Sequence, residues 1–268
     1  MEKKQQAQGE RWRLLTIGPS HYCEKARWAL ERGGLSFQEE AHLPPFHAIV
    51  NRRFGAGRTR PVLVTPHAVV DDSAAILLFL DSYVEPALRL YPEDPQQREE
   101  VIALASDFDK RLGPAVRRWL YFHLLPDGQM VGRLFGVSQD RWSQLRWSLF
   151  FPMMRAVMRK AMNIRRDKAE KDRERVFAIF DDVAQKLSDG RRYLVGDRLS
   201  AADLTFAALA APAVLAPNYG TYLPPVEEVP AYLRPDLAAL QEHPAGQFVL
   251  RLYRDERVPS KSPLHQGE

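Results

Sequence analysis

The chain reads as an α/β domain followed by an all-α domain. Three observations carry that reading. Strand-like and helix-like stretches alternate over residues 12–83 in the order β-α-β-(α)-β-β-α. From residue 99 onward apolar side chains recur every three to four positions, the period of a helix. Between the two patterns lies a stretch rich in proline and acid. The expected domains are therefore 11–85 and 99–256, with 86–98 as the linker.

Residues 12–17 form the first strand-like run, and Gly18-Pro19 breaks it. Ser20 suits the N-cap of the next helix, because a hydroxyl there can accept a hydrogen bond from an unpaired first-turn N–H. Cys23, Ala26 and Leu30 fall at helical spacing, and Gly33-Gly34 supplies the stop. A second strand is expected over 36–42. Residues 43–60 are ambiguous: Pro44-Pro45 opens them, 46–54 leaves room for an irregular helix, and 55–58 is a loop. Pro61 opens the next strand, which is acceptable only where the sheet needs no N–H at that place. A turn at 65–67 leads to a short strand at 68–70. Asp71-Asp72-Ser73 then precedes an apolar-periodic helix over 74–83.

Beyond the linker, a helix over 99–125 carries Val101, Leu104, Phe108, Leu112, Val116, Leu120 and Leu124 at helical spacing. Pro114 is expected to kink or split it, since its ring removes one backbone donor. Asp127-Gly128 reads as a turn. Residues 141–162 are mostly helical with an interruption near Pro152. Residues 167–187 place Val176, Ile179, Phe180, Val183 and Leu187 on one face. Ser200 and Asp203 have the spacing of a capping box, and Leu199 can pack on Leu204 as a hydrophobic staple. The apolar run 204–215 suits a helix buried all round. Two further helices are expected over 232–242 and 245–254, followed by a loose polar tail.

The totals narrow the function classes. In 268 residues, 45% are hydrophobic, which is enough for a conventional core. A single cysteine rules out an internal disulfide and fits a reducing compartment. The net charge of +4 is too small for this length to argue nucleic-acid binding. Residues 1–10 lack the apolar core of a signal peptide, and no apolar run approaches the ~18–20 residues of a membrane span. The expected compartment is cytoplasmic.

The first helix start has chemical meaning. Its unpaired N–H groups carry roughly half a positive charge, which stabilises an anion such as a thiolate. Ser20 stands where the first thiol of a Cys-x-x-Cys pair would stand, and Cys23 holds the second place. Two-thiol redox chemistry is therefore excluded here. A hydroxyl able to donate to another molecule's thiolate remains. The same residues equally suit a plain cap and a small core thiol.

The run Ser20-x-Tyr22-Cys23-x-Lys25-x-Arg27, following a strand, resembles the first helix of the cytosolic glutathione transferase superfamily. Arg60-Pro61, Asp72-Ser73 and the stretch from Leu194 to Leu204 that ends in Ser200-x-x-Asp203 agree with it in order. The resemblance covers about residues 11 to 255. It implies a thioredoxin-like α/β domain that binds glutathione and an all-α C-terminal domain. Ser20 would be the catalytic residue that stabilises the glutathione thiolate, with Tyr22 as a second candidate. A hydrogen bond to a charged acceptor contributes about 1.5–3 kcal/mol, enough to lower a thiol pKa by one to two units.

The family's bond before the proline is cis, and the backbone of the preceding residue pairs with the cysteinyl part of glutathione. Here that residue is Arg60, where the family usually has a small apolar side chain, so the pocket gains a cation. Asp72 and Ser73 would hold the γ-glutamyl end; both also suit an ordinary cap. His47, Arg52 and Arg53 lie in the segment that meets the glycine carboxylate. His21 replaces a common proline and is expected to face solvent. Cys23 is expected to be a buried structural thiol.

The implied activity is attack of glutathione on a small hydrophobic electrophile, a detoxifying reaction without metal, in a homodimer. Two alternatives stay open: a non-catalytic binding or adaptor protein with this fold, and a glutathione-dependent reductase using Cys23. The basic, methionine-rich stretch 147–173 is expected to supply core and substrate pocket, in preference to a membrane-surface helix. No nucleic-acid partner is expected.

Overall fold

The computed structural model describes residues 12–57 and 59–257. The N-terminal layer is a four-stranded mixed sheet in the order β2-β1-β3-β4. Strand β1 (Trp12–Thr16) runs parallel to β2 (Phe37–Ala41) and antiparallel to β3 (Val62–Val64), which pairs with β4 (Val69–Asp71). A parallel pair needs a crossover, and helix α1 (His21–Arg32) provides it. Helix α2 (His47–Arg53) settles the ambiguous stretch, and α3 (Ser73–Leu80) follows β4. Trp12, Leu14, Trp28, Leu63, Ile76 and Leu77 from these elements share one buried cluster.

The remaining elements are helical among the described residues. They are α4 (Pro95–Leu124), α5 (Gly128–Leu134), α6 (Arg141–Ala161), α7 (Arg166–Leu187), α8 (Ala201–Val214), α9 (Arg234–Glu242) and α10 (Pro244–Asp255). Pro114 and Pro152 lie inside helices that continue through them. Of the two outcomes expected at Pro114, a kink or a split, the split does not occur. Leu112, Gly113, Ala115 and Val116 around the proline are all buried, so packing outweighs one missing donor. Helix α5 was hidden behind a turn signal: the Asp127 carboxylate accepts from the N–H of Gln129 and Met130 and starts a helix there.

Helix α8 is the axis of the C-terminal half. Every residue in it except Pro212 is buried, and it packs against α4, α10 and α1. Seven of its positions are alanine, which lets those neighbours approach closely. Its capping box is formed as expected. The Asp203 carboxylate accepts from the N–H of Ser200 at 2.8 Å and of Leu194 at 2.7 Å, tying the preceding loop to the helix start. Burial pushes this carboxyl up to about 6, against the pull of those bonds.

The two halves are joined by buried ions. Glu24 accepts from Arg27 at 2.5 Å, from the Arg257 Nε at 2.9 Å and from the Gly220 N–H at 3.1 Å. Arg27 also donates to Glu39 of β2 at 2.6 and 2.9 Å. Lys25, fully buried, reaches both carboxylate oxygens of Asp109 on α4 at 2.7 and 2.8 Å. A Cβ at position 220 would collide with Glu24 and Arg27, so only glycine lets this loop reach the ion cluster. Buried charge is tolerable only when paired and hydrogen-bonded, as these groups are.

Candidate functional site

A cavity of about 920 Å³ lies between the sheet domain and the helical domain. The sheet domain lines it with polar groups, among them Ser20, His47, Arg60, Asp72 and Ser73. The helical domain lines it with apolar ones, among them Leu120, Leu124, Leu134, Phe135 and Met158. One ligand part can therefore be held by hydrogen bonds while another is buried in hydrocarbon.

Ser20 stands where β1 has ended and α1 begins, with extended backbone (φ −76°, ψ 118°). Its side chain makes no cap hydrogen bond, contrary to the sequence expectation. It interacts instead with the Cys23 sulfur, one turn on. The hydroxyl is thus left at a helix N-terminus in the cavity wall. Cys23 is fully buried, as expected, and accepts from the Ile17 N–H at 3.4 Å. Burial pushes its thiol up to about 11, so it is un-ionised near neutral pH.

His21 corrects the sequence reading. It does not face solvent; it is 4% exposed and lies against the Tyr22 ring, with 4.8 Å between centroids. Burial, with Arg117 and Lys25 nearby, pushes the imidazole down to about 3. It is neutral across the physiological range. Tyr22 also lines the cavity, and its hydroxyl donates to the Asp109 carbonyl at 2.7 Å. Burial pushes the phenol far up. Tyr22 is a strut between α1 and α4, fitted against Gly113, where a Cβ would strike its ring.

The peptide bond Arg60–Pro61 is cis, and so is Pro44–Pro45. Arg60 is 7% exposed and belongs to the cavity wall. Its Nη2 donates to the His47 carbonyl at 3.4 Å, while Nε and Nη1 have no partner among the described residues. Burial lowers its pKa to about 10, so it stays charged. Asp72 has φ +76°, a region that costs a non-glycine residue about 1–3 kcal/mol. Its Oδ1 caps α3 by accepting from Ala74 and Ala75 at 2.8 and 3.3 Å. Ser73 follows it into the wall of the cavity, 3% exposed. His47 is part of the wall as well, whereas Arg52 and Arg53 are exposed on α2 and outside it.

The α4 contribution was not visible in the sequence. Ser106, Asp109, Lys110 and Arg117 of that helix all line the cavity. The Arg117 guanidinium carbon lies 5.9 Å from the Tyr22 ring centre, and its buried Nε has no partner among the described residues. Periodicity marks the buried face of α4, but which polar residues meet α1 depends on how the two helices cross. No group of three or more His, Cys, Asp or Glu residues suited to a metal occurs among the described residues.

Residues 19–82 match the family described as Glutathione S-transferase, N-terminal domain. Residues 145–231 match Glutathione S-transferase, C-terminal domain, and the two together take in more than half of the chain. The chain belongs to the cytosolic glutathione transferase superfamily. Solved structures of this superfamily share its fold at low identity. A glutathione S-transferase from Xanthobacter autotrophicus has a TM-score of 0.58 and 17% identity, over 92% of this chain and 95% of that one. Ure2p5 from Phanerochaete chrysosporium, crystallised with 1-(S-glutathionyl)-2,4-dinitrobenzene, has a TM-score of 0.56 and 18% identity, over 92% and 96%. A glutathione transferase from Burkholderia graminis with two glutathione molecules per subunit has a TM-score of 0.58 and 18% identity, over 92% and 85%. No curated protein matches the chain. Superfamily membership fixes the two-domain fold; the residue roles rest on the cavity.

Proposed function

We propose that this superfamily member is a glutathione transferase in which Ser20 holds the glutathione thiolate for attack on a small hydrophobic electrophile. The observation that carries the reading is the Ser20 hydroxyl, which caps no N–H of α1. It sits at a helix N-terminus, in a cavity wall, at the border between polar and apolar linings. A donor and a helix dipole aimed at one point favour the anion over the thiol.

The polar wall suits a tripeptide with two charged ends. The Arg60 backbone beside the cis bond would pair with the cysteinyl unit, and Pro61 would keep that edge open. Asp72 would face the α-amino group and Ser73 the α-carboxylate, at the N-terminus of α3. His47 would meet the glycine carboxylate, with Arg53 able to join only by swinging inward from its exposed position. The Arg60 guanidinium, short of partners, would add a cation for one of these carboxylates. The apolar wall would take the electrophile, and Met158 and Met162 in it can adapt to varied shapes.

The test is conjugation of glutathione to an aryl halide by wild type and Ser20→Ala. Losing a hydrogen bond to a charged acceptor costs about 1.5–3 kcal/mol, so kcat/KM should fall roughly ten- to a hundredfold. Equal rates would remove Ser20 from the mechanism.

A second reading, a non-catalytic binding protein, is favoured by Arg60 and His21, both departures from the family pattern and both buried at this cavity. Calorimetric titration separates the two: absence of heat and of a thermal shift at millimolar glutathione would support the binding protein. The reductase reading is weakened by Cys23, whose buried thiol is pushed up to about 11, far from the depressed values of reactive cysteines.

A further inference from the structure

Helix α6 has two apolar faces. One is inward: Trp147, Phe151, Met154 and Met158 are buried in a cluster with Val131 and Ile164. The other points away from the protein. Trp142 is 74% exposed, Leu149 76%, Leu145 50% and Met153 49%. These residues recur at three- to four-residue steps, so they form one stripe along about three turns.

The charge on this helix is one-sided. Residues 141–161 contain Arg141, Arg146, Arg155, Arg159 and Lys160 and no acid. Asp140 caps the first turn and is the nearest carboxylate in sequence. None of the five cations forms an ion pair among the described residues; Arg155 lies over the Phe151 ring. Elsewhere the protein pairs its arginines readily, as in Arg118–Asp172 and Arg173–Asp236. The apolar stripe also continues past the helix. Phe150 stacks on Phe46 of the loop before α2, 48% exposed, and Ile49 within α2 is 57% exposed. At its far end Val157, 37% exposed, belongs to the cavity wall.

We propose that the outer face of α6 seats this protein on an anionic lipid surface. An exposed tryptophan and leucines flanked by unpaired arginines are what an interfacial helix uses: the rings and aliphatic chains enter the headgroup boundary and the cations meet lipid phosphates. A second copy of the chain fits this face poorly, because a two-fold contact would set these five cations against the same five. Nucleic acid would answer the charge but leave the stripe in water. Seated this way, the protein turns the cavity rim formed by Val157 toward the hydrocarbon boundary. A lipophilic compound could then pass from the bilayer to the apolar wall without crossing bulk water. The docking does not depend on the glutathione reading.

The experiment is flotation of the full chain with vesicles of phosphatidylcholine alone and of phosphatidylcholine with phosphatidylglycerol. Wild type should float with the anionic vesicles at low salt, less at high salt, and not with the neutral ones. Trp142→Gln/Leu149→Gln should reduce partition at least about tenfold, and Arg146→Gln/Arg159→Gln by about fivefold for each cation removed. All four side chains are exposed, so the thermal melt should not change. A readout in wild type alone guards against misfolded variants. The other four tryptophans are buried, so acrylamide quenching reports Trp142, and anionic vesicles should suppress it. Any of four results overturns the proposal: no flotation with anionic vesicles, unchanged quenching, partition equal to wild type in both variants, or a dimer in solution that Trp142→Gln/Leu149→Gln dissolves.

Discussion

At the scale of residues, the cavity contains groups whose chemistry is set by burial. His21 is held neutral, down to about 3, by burial and by nearby cations. Unfolded, its pKa returns to about 6.5. Below that value the unfolded chain binds a proton that the folded one refuses, so this group makes stability fall as pH drops from 6.5 toward 3, by about 1.4 kcal/mol per unit. His21→Leu should flatten the slope of stability against pH by one proton in that window; a slope unchanged from wild type would mean His21 titrates normally in the fold. Arg60 gives the opposite kind of test. A buried guanidinium with Nε and Nη1 unpaired costs free energy that a ligand can recover. Arg60→Met should therefore raise the stability of the ligand-free protein by roughly 1–2 kcal/mol and weaken glutathione binding. A less stable variant with unchanged binding would show that Arg60 serves the fold instead. The sequence marked Arg60 as a departure because the motif around it is short and local. It misplaced His21, because exposure there depends on α4 lying overhead, and nothing near residue 21 encodes that.

At the scale of elements, local signals did most of the work. The capping box at Ser200 and Asp203 was readable because both partners sit within four residues, and the helix that follows is buried on all sides. Replacing Asp203 by Ala would strand the Leu194 and Ser200 N–H groups in the interior. Each such orphan costs about 1–3 kcal/mol, so Asp203→Ala should lose about 3 kcal/mol or more in denaturant unfolding. A loss under 1 kcal/mol would show that the loop over residues 194–200 re-forms its bonds elsewhere. The prolines were the misleading elements. Pro114 and Pro152 break helices by local rules, but each lies in a long amphipathic segment anchored by buried residues, Gly113 and Ala115 beside the first and Phe151 and Met154 around the second. Helix α6 was legible only in half: Trp147, Phe151, Met154 and Met158 do face the core, while the apolarity of its outer face emerges once exposure is known.

At the scale of the whole molecule, the site exists only because two domains meet. The sheet domain brings Ser20, Arg60 and Asp72-Ser73 to one wall, and α4 brings Asp109 and Arg117 to the other. Lys25–Asp109 and the Glu24–Arg27–Arg257 cluster hold that meeting in register. The pairs that cross between the halves were not legible in the sequence, since Lys25 and Asp109 lie 84 positions apart and Glu24 and Arg257 lie 233 apart. The order of motifs along the chain, by contrast, was enough to suggest both domains. The proposed chemistry turns on a serine hydroxyl that holds another molecule's sulfur as an anion. The most direct measurement is the ultraviolet absorbance of the bound glutathione thiolate, followed against pH in wild type and Ser20→Ala. The wild-type midpoint should lie about one to two units below that of the variant. Coincident midpoints in the two proteins would contradict it.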